Sequence, residues 1–110
     1  MSVFRIDRFE LPARAVDLTA TFLARVEETH ALLRGCEGYR TDRILVERGG
    51  TGILTLVEWR DDAAIAAARA RVDAARTGSG FDPQTFLRET GISAVFATYV
   101  LAPTGPLAAG

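Results

Sequence analysis

The sequence contains no lysine and no asparagine, and it has one cysteine, one histidine and one tryptophan. Each shortage excludes something. A single cysteine, Cys36, rules out an intrachain disulfide and suits a reducing compartment. It lies in a turn with no obvious neighbour to activate a thiolate, so it reads as inert. One histidine and one cysteine cannot furnish an ordinary zinc site, and no metal or other cofactor is expected. The 13 basic residues, all arginine, face 14 acidic ones, for a formal net charge of −1. No basic field therefore exists to hold nucleic-acid phosphates. No apolar run is long enough to span a bilayer, and residues 1–15 show no secretory-leader pattern, so a cytoplasmic location is expected. Phosphate-binding glycine loops and a Ser-His-Asp spacing are also missing. The all-arginine basic set and abundant alanine read as the mark of a GC-rich, bacterial genome.

What is present fits one globular domain over residues 1–110, with 48% hydrophobic and 25% charged residues. No linker or repeat divides it, and the tail from Pro103 is expected to be flexible. VFRIDRFE (3–10) reads as a first strand closed by Pro12. Residues 14–34 read as a helix whose inward face carries Leu18, Phe22, Val26 and Leu33, with Gly35 as its C-cap. YRTDRILVE (39–47) and ILTLVEW (53–59) read as two strands joined by a tight hairpin at GGTG (49–52). A second helix, capped by Asp61 or Asp62, runs to about Arg76 and buries Ile65, Ala68, Val72 and Ala75. Residues 78–91 give a loop and a short helix capped by Asp82 with Pro83 first, and residues 92–102 a last strand.

The order strand-helix-strand-strand-helix-strand predicts an α+β, ferredoxin-like βαββαβ fold: a four-stranded antiparallel sheet with both main helices on one face. Strand three is apolar on both faces, with Ile53, Val57 and Trp59 on one and Leu54 and Leu56 on the other. Two helices cover one face, so the outer face needs a second cover. A second copy of the chain provides it, which makes the expected assembly a homodimer.

This topology gathers Trp59, Arg5, Asp7, His30, Leu33, Cys36, Tyr39 and Tyr99 at one end, roofed by Ile65. An aromatic wall with one imidazole and a few charges describes a site for a flat apolar ligand. His30, four residues after Val26, is the candidate proton acceptor, and Trp59 the rigid wall. Arg5, Asp7, Phe22, Val26, Tyr39, Thr55, Ile65 and Tyr99 are the candidate substrate contacts. The first backbone N–H groups of the second helix would stabilise a phenolate oxygen. Each residue also has a plainer reading. Trp59 can be ordinary core, His30 a surface helix residue, and Arg5–Asp7 a solvated or interfacial ion pair.

GCEGYR (35–40), the hairpin, and VEWRDDAAIAAA (57–68) resemble the antibiotic biosynthesis monooxygenase family of dimeric α/β barrels. The shared features are a Gly-x-x-Gly-aromatic entry to strand two, an aromatic ending strand three, and an acidic cap before an alanine-rich helix. The resemblance spans residues 3–102. It implies a homodimer through the outer sheet face and, among the family's activities, cofactor-independent oxygenation of aromatic polyketides or quinols by dioxygen. Two departures stand out: Thr55 occupies a position where some such oxygenases have Asn, and Ile65 one where a Tyr can sit. Haem-degrading relatives carry an asparagine on strand one and a histidine on helix two, and this chain has neither. The alternatives are a non-catalytic ligand-binding or stabilising dimer, and a polyketide cyclase or isomerase using the same pocket.

Overall fold

The computed structural model describes residues 1–13 and 16–103. The expected start of the first helix at residue 14 and nearly all of the tail expected to be flexible lie outside them. Seven elements follow in order: β1 (Val3–Glu10), α1 (Val16–Arg34), β2 (Tyr39–Val46), β3 (Gly52–Trp59), α2 (Asp62–Ser79), α3 (Pro83–Thr90) and β4 (Ser93–Val100). The strands form one antiparallel sheet in the order β2-β3-β1-β4, the ferredoxin-like arrangement. No helix among the described residues is long and apolar enough to cross a membrane.

Register decides which side chains meet. Val3, Arg5, Asp7 and Phe9 lie opposite Trp59, Val57, Thr55 and Ile53, so these eight share the face under the helices. Along β3 burial alternates strictly, with Ile53, Thr55, Val57 and Trp59 buried and the residues between them half-buried. One core cluster joins Phe22 and Val26 of α1 to Leu11, Ile53 and Ile92. A second packs Ala64 and Ala68 of α2 on Val57 and Trp59. The buried line of α2 is thus Ala64, Ala68 and Val72; Ile65 is half-buried and Ala75 exposed, a shift of about one residue from the expected stripe.

Local chemistry accounts for most boundaries. Asp61 caps α2, its carboxylate accepting from the Ala64 backbone N–H at 2.9 Å, and Gly80 closes that helix in the left-handed conformation. Asp82 and Pro83 start α3 as expected. Gly35 differs: the left-handed glycine after α1 is Gly38, at φ 87°. A Cβ at Gly38 would stand 2.4 Å from Ala64 Cβ, so the second glycine of the motif is what lets α2 settle against the entry to β2. The Gly35 carbonyl instead accepts from Arg71 Nη1 at 3.0 Å. The hairpin is wider than expected, spanning residues 47–51 and closed by Glu47 N–H to Gly52 O at 2.8 Å.

The other sheet face is apolar and uncovered in the single chain. Phe4, Ile6, Leu54 and Leu56 are half-buried there, and Leu45, Val95 and Tyr99 are exposed by 52%, 58% and 46%.

Candidate functional site

A cavity of about 860 Å³ opens between the sheet and all three helices. That volume falls in the range of roughly 300–1,000 Å³ typical of small-molecule sites. The sheet supplies its floor with Arg5, Asp7, Phe9, Thr55 and Phe96. α1 supplies one wall with Phe22, Val26, Thr29 and His30, and the C-terminal half of α2 brings Arg69, Asp73 and Arg76. Phe81 and Phe86 close the end formed by the α2–α3 turn and α3.

Five of the six phenylalanines line this space and touch in sequence. Ring centroids are 5.9 Å apart for Phe96 and Phe9, 4.8 Å for Phe9 and Phe22, 6.3 Å for Phe22 and Phe86, and 5.7 Å for Phe86 and Phe81. The wall is therefore continuous and aromatic, its rings meeting mostly edge-to-face with Phe22 and Phe86 stacked, and it suits a ring-bearing ligand.

His30 is 4% exposed, and its Nδ1 lies 2.8 Å from Oδ2 of Asp42. Arg34 grips the same carboxylate with a two-pronged fork, Nε to Oδ1 at 3.0 Å and Nη2 to Oδ2 at 2.9 Å, and Tyr39 donates its hydroxyl to Oδ1. The Arg34 fork holds the Asp42 carboxyl well below the usual carboxylate range against the opposing effect of burial, with Tyr39 and His30 adding to it. Burial, reinforced by the bond to Asp42, pushes the Tyr39 hydroxyl up. An ionised carboxylate only accepts, so His30 Nδ1 carries a hydrogen, and in the neutral ring the lone pair is then on Nε2. Nε2 has no protein partner, yet no buried side-chain nitrogen or oxygen among the described residues is left unsatisfied, so Nε2 is accessible. His30 lines the cavity.

Asp7 is a second titratable group lining the cavity, on its floor. Burial raises its carboxyl above the ordinary range although Arg5 Nε donates to it at 3.0 Å and pulls the other way. Among the described residues, no group of three or more His, Cys, Asp or Glu is placed to hold a metal ion.

The structure brings six of the expected residues to this cavity: Arg5, Asp7, Phe22, Val26, His30 and Thr55. Four are elsewhere. Trp59 is 2% exposed and closed in by Val57, Ala64 and Ala68, with Tyr39 edge-on at 6.1 Å and Ile65 packed alongside. The small side chains of α2 let that helix sit directly on the indole, and this packing leaves no space beside it. Tyr99 pairs with Phe4 and so occupies the outer face, at the expected end of the sheet but on its other side. The α2 N-terminus is not a free oxyanion site either, since Asp61 occupies it and it lies away from the cavity. Asp42, Arg76 and the phenylalanines of β1, β4, α3 and the turn before it were not among the expected site residues. The Asp82-Pro83 start followed by Phe86 and Leu87 was the visible signal that α3 presents an apolar face.

By sequence, no family model and no curated protein matches the chain. By structure, it is similar to SnoaB, a cofactor-independent oxygenase from Streptomyces nogalater, in its N63A mutant, at TM-score 0.68 and 20% identity over 96% of this chain and 97% of that one. A candidate antibiotic biosynthesis monooxygenase from Deinococcus radiodurans superposes at TM-score 0.59 and 12% identity over 94% and 96% of the two chains. The fold is that of the antibiotic biosynthesis monooxygenases. The same fold is seen in the haem degrader MhuD from Mycobacterium tuberculosis, solved with two haems in its active site, at TM-score 0.64 and 22% identity over 94% and 99%. At these identities the likeness fixes architecture, and the chemistry must come from this chain's own cavity.

Proposed function

We propose that the chain is a cofactor-independent oxygenase of a flat anthrone- or quinol-type molecule, with His30 as proton acceptor and Asp42 as the residue that positions it. The observation that carries this reading is the imidazole tied through Nδ1 to an ionised carboxylate, at a cavity walled by phenylalanine. The likeness to SnoaB agrees with it.

On this reading His30 Nε2 takes a proton from the activated methylene of a bound anthrone. Asp42 holds the ring and stabilises the imidazolium that forms. The substrate carbanion passes one electron to dioxygen, and the resulting radical and superoxide combine as a peroxide. His30 returns its proton, water leaves, and a carbonyl remains. One methylene and one dioxygen give one carbonyl and one water, so no external reductant is consumed. The phenylalanine walls hold the ring system in place and keep bulk water from the carbanion.

A second copy would cover the outer face carrying Leu45, Leu54, Leu56 and Val95, as the family resemblance implies. Such a dimer leaves the cavity on the opposite side of the sheet.

One second reading has an observation in its favour. The His30 imidazole at the cavity and the likeness to MhuD suit a haem, with His30 the residue that would hold it. The lone histidine is on α1, whereas the resemblance associates haem degradation with one on the second helix. Haem titration separates the two: a stoichiometric Soret band supports the haem reading, and its absence the oxygenase reading. Dioxygen uptake with anthrones and quinols, compared between wild type and His30→Gln, tests the oxygenase itself. Ligand binding without uptake would leave a binding protein, and conversion without uptake a cyclase or isomerase.

A further inference from the structure

Two arginines among the described residues are withdrawn from full solvent exposure, Arg5 and Arg76, and both line the cavity. Arg5 has its counter-charge in Asp7. Arg76 has none among the described residues: no carboxylate there comes within 4.0 Å, and the hydrogen bond of its guanidinium runs from Nη2 to Thr29 Oγ1 at 3.3 Å. Burial pulls its pKa down, and the nearby charge of Asp73 offsets this in part. Asp73 shares the cavity mouth but is exposed and makes no ion pair. A half-buried cation without an ion-pair partner is costly, because it gives up hydration and receives in return only the longer-range pull of Asp73. Its guanidinium has five N–H donors in a planar fork and Thr29 takes one, which leaves the geometry that matches a carboxylate.

Two neighbours strengthen the case. Arg69 lines the same mouth and is exposed, and Arg25 lies 4.3 Å over the Phe81 ring. Around this part of the cavity stand three arginines, Arg25, Arg69 and Arg76, against Asp73 and Asp82; Arg25 is paired with Glu28, so Arg76 is the half-buried cation left to meet an anion. Thr29, which seats Arg76, immediately precedes His30 in α1, so the cation and the proposed base are approached from the same chamber.

We infer that the cavity's ligand is a flat aromatic molecule bearing a ring carboxylate, and that Arg76, seated by Thr29, receives that carboxylate and determines specificity. This rests on the aromatic-ligand reading above but not on the oxygenation step. The arrangement orients the ligand: the anion docks at the α2 edge and the rings lie along the phenylalanines. Arg76 thereby sets which carbon of the ring system comes to His30.

The test is calorimetric binding of anthraquinone-2-carboxylate and its neutral carboxamide, with no turnover involved. Wild type should prefer the carboxylate by about tenfold or more, the scale of a charge-assisted bidentate contact. Arg76→Gln should bring the two ligands within about twofold, chiefly by loss of carboxylate affinity, and Arg76→Lys should restore part of the preference. Circular dichroism confirms that the variants are folded, and the wild-type comparison stands even if Arg76→Gln is not. Protoporphyrin IX against its dimethyl ester shows whether a porphyrin is the carboxylate's source: an ester that binds as well as the acid assigns the site to the smaller ring system. Equal binding of carboxylate and carboxamide by wild type, binding of neither, or a preference that survives Arg76→Gln overturns the inference. A carboxylate preference without dioxygen uptake would keep the subsite and remove the oxygenase.

Discussion

His30 Nδ1 and Asp42 Oδ2 are 2.8 Å apart, and Arg34, on the same helix as His30, grips that same carboxylate. α1 and the edge strand β2 are thereby pinned together at the imidazole. The base is held by two elements rather than resting on one helix face. Its side chain is 5% exposed and that of Asp42 8%, so the pair is largely shielded from water.

Replacing Asp42 with Asn should expose what the carboxylate does. Asn can donate as well as accept, so Nδ1 loses its fixed hydrogen and Nε2 its fixed lone pair. Turnover should fall by about 10²–10⁴-fold, the usual range for a general base, while ligand affinity changes little. Stability gives a separate readout. The folded-state pKa of Asp42 lies below its unfolded value, so its stabilisation is present above about pH 4 and is lost as the pH falls through the depressed value. Acid unfolding of wild type should thus be steeper than that of Asp42→Asn, and parallel curves would show that the carboxylate is not so linked.

Gly38→Ala should be far more disruptive than Gly35→Ala. At Gly38 the new methyl meets Ala64 Cβ at 2.4 Å on a backbone at φ 87°, whereas at Gly35 the nearest atom is 3.6 Å away. The left-handed conformation costs about 1–2 kcal/mol and the overpacking about 1–3 kcal/mol more. Denaturant titration of the two variants measures the difference.

Trp59→Phe tests the packing of the strand end. Because the indole is enclosed by α2 and outside the cavity, the variant should lose about 1–3 kcal/mol of stability to the space left behind. Anthraquinone affinity should be unchanged; a large loss of affinity at unchanged stability would return Trp59 to the site.

The elements were legible because their signals are local: β-branched runs, the Asp61 and Asp82 caps, and the glycine-rich hairpin. His30 was legible too, lying four residues after Val26 and eight after Phe22 on one helix face. Asp42 was hidden by a backbone irregularity. Simple alternation puts Tyr39 and Asp42 on opposite faces of β2, but the register shifts between Tyr39 and Thr41, where two residues of β2 pass one of β3. Both side chains then face the helices. The cavity itself was placed at the wrong end, because sequence showed that α2 is alanine-rich but not that its small residues would bring it down onto Trp59. Tyr99 was assigned correctly along the strand and incorrectly across it: three residues after Phe96, it falls by alternation on the other face, where it pairs with Phe4.

Leu56→Arg probes the proposed dimer. Leu56 sits on the outer face of β3, opposite Ile6 and Arg43. A charge there, buried unpaired against a second copy, should cost several kcal/mol and shift sedimentation toward monomer with a lower, concentration-dependent Tm. A dimer of wild-type Tm would place the interface elsewhere.

The central claim is that an imidazole held by Asp42 starts oxygenation by taking a substrate proton. Dioxygen uptake with anthrone, measured for wild type and His30→Gln after exhaustive chelation, tests it most directly. The account predicts uptake well above the buffer rate with one dioxygen consumed per anthrone, and a fall of about 10²–10⁴-fold in His30→Gln with anthraquinone binding retained. Uptake equal to the buffer rate across anthrones and quinols, or undiminished in His30→Gln, would contradict it.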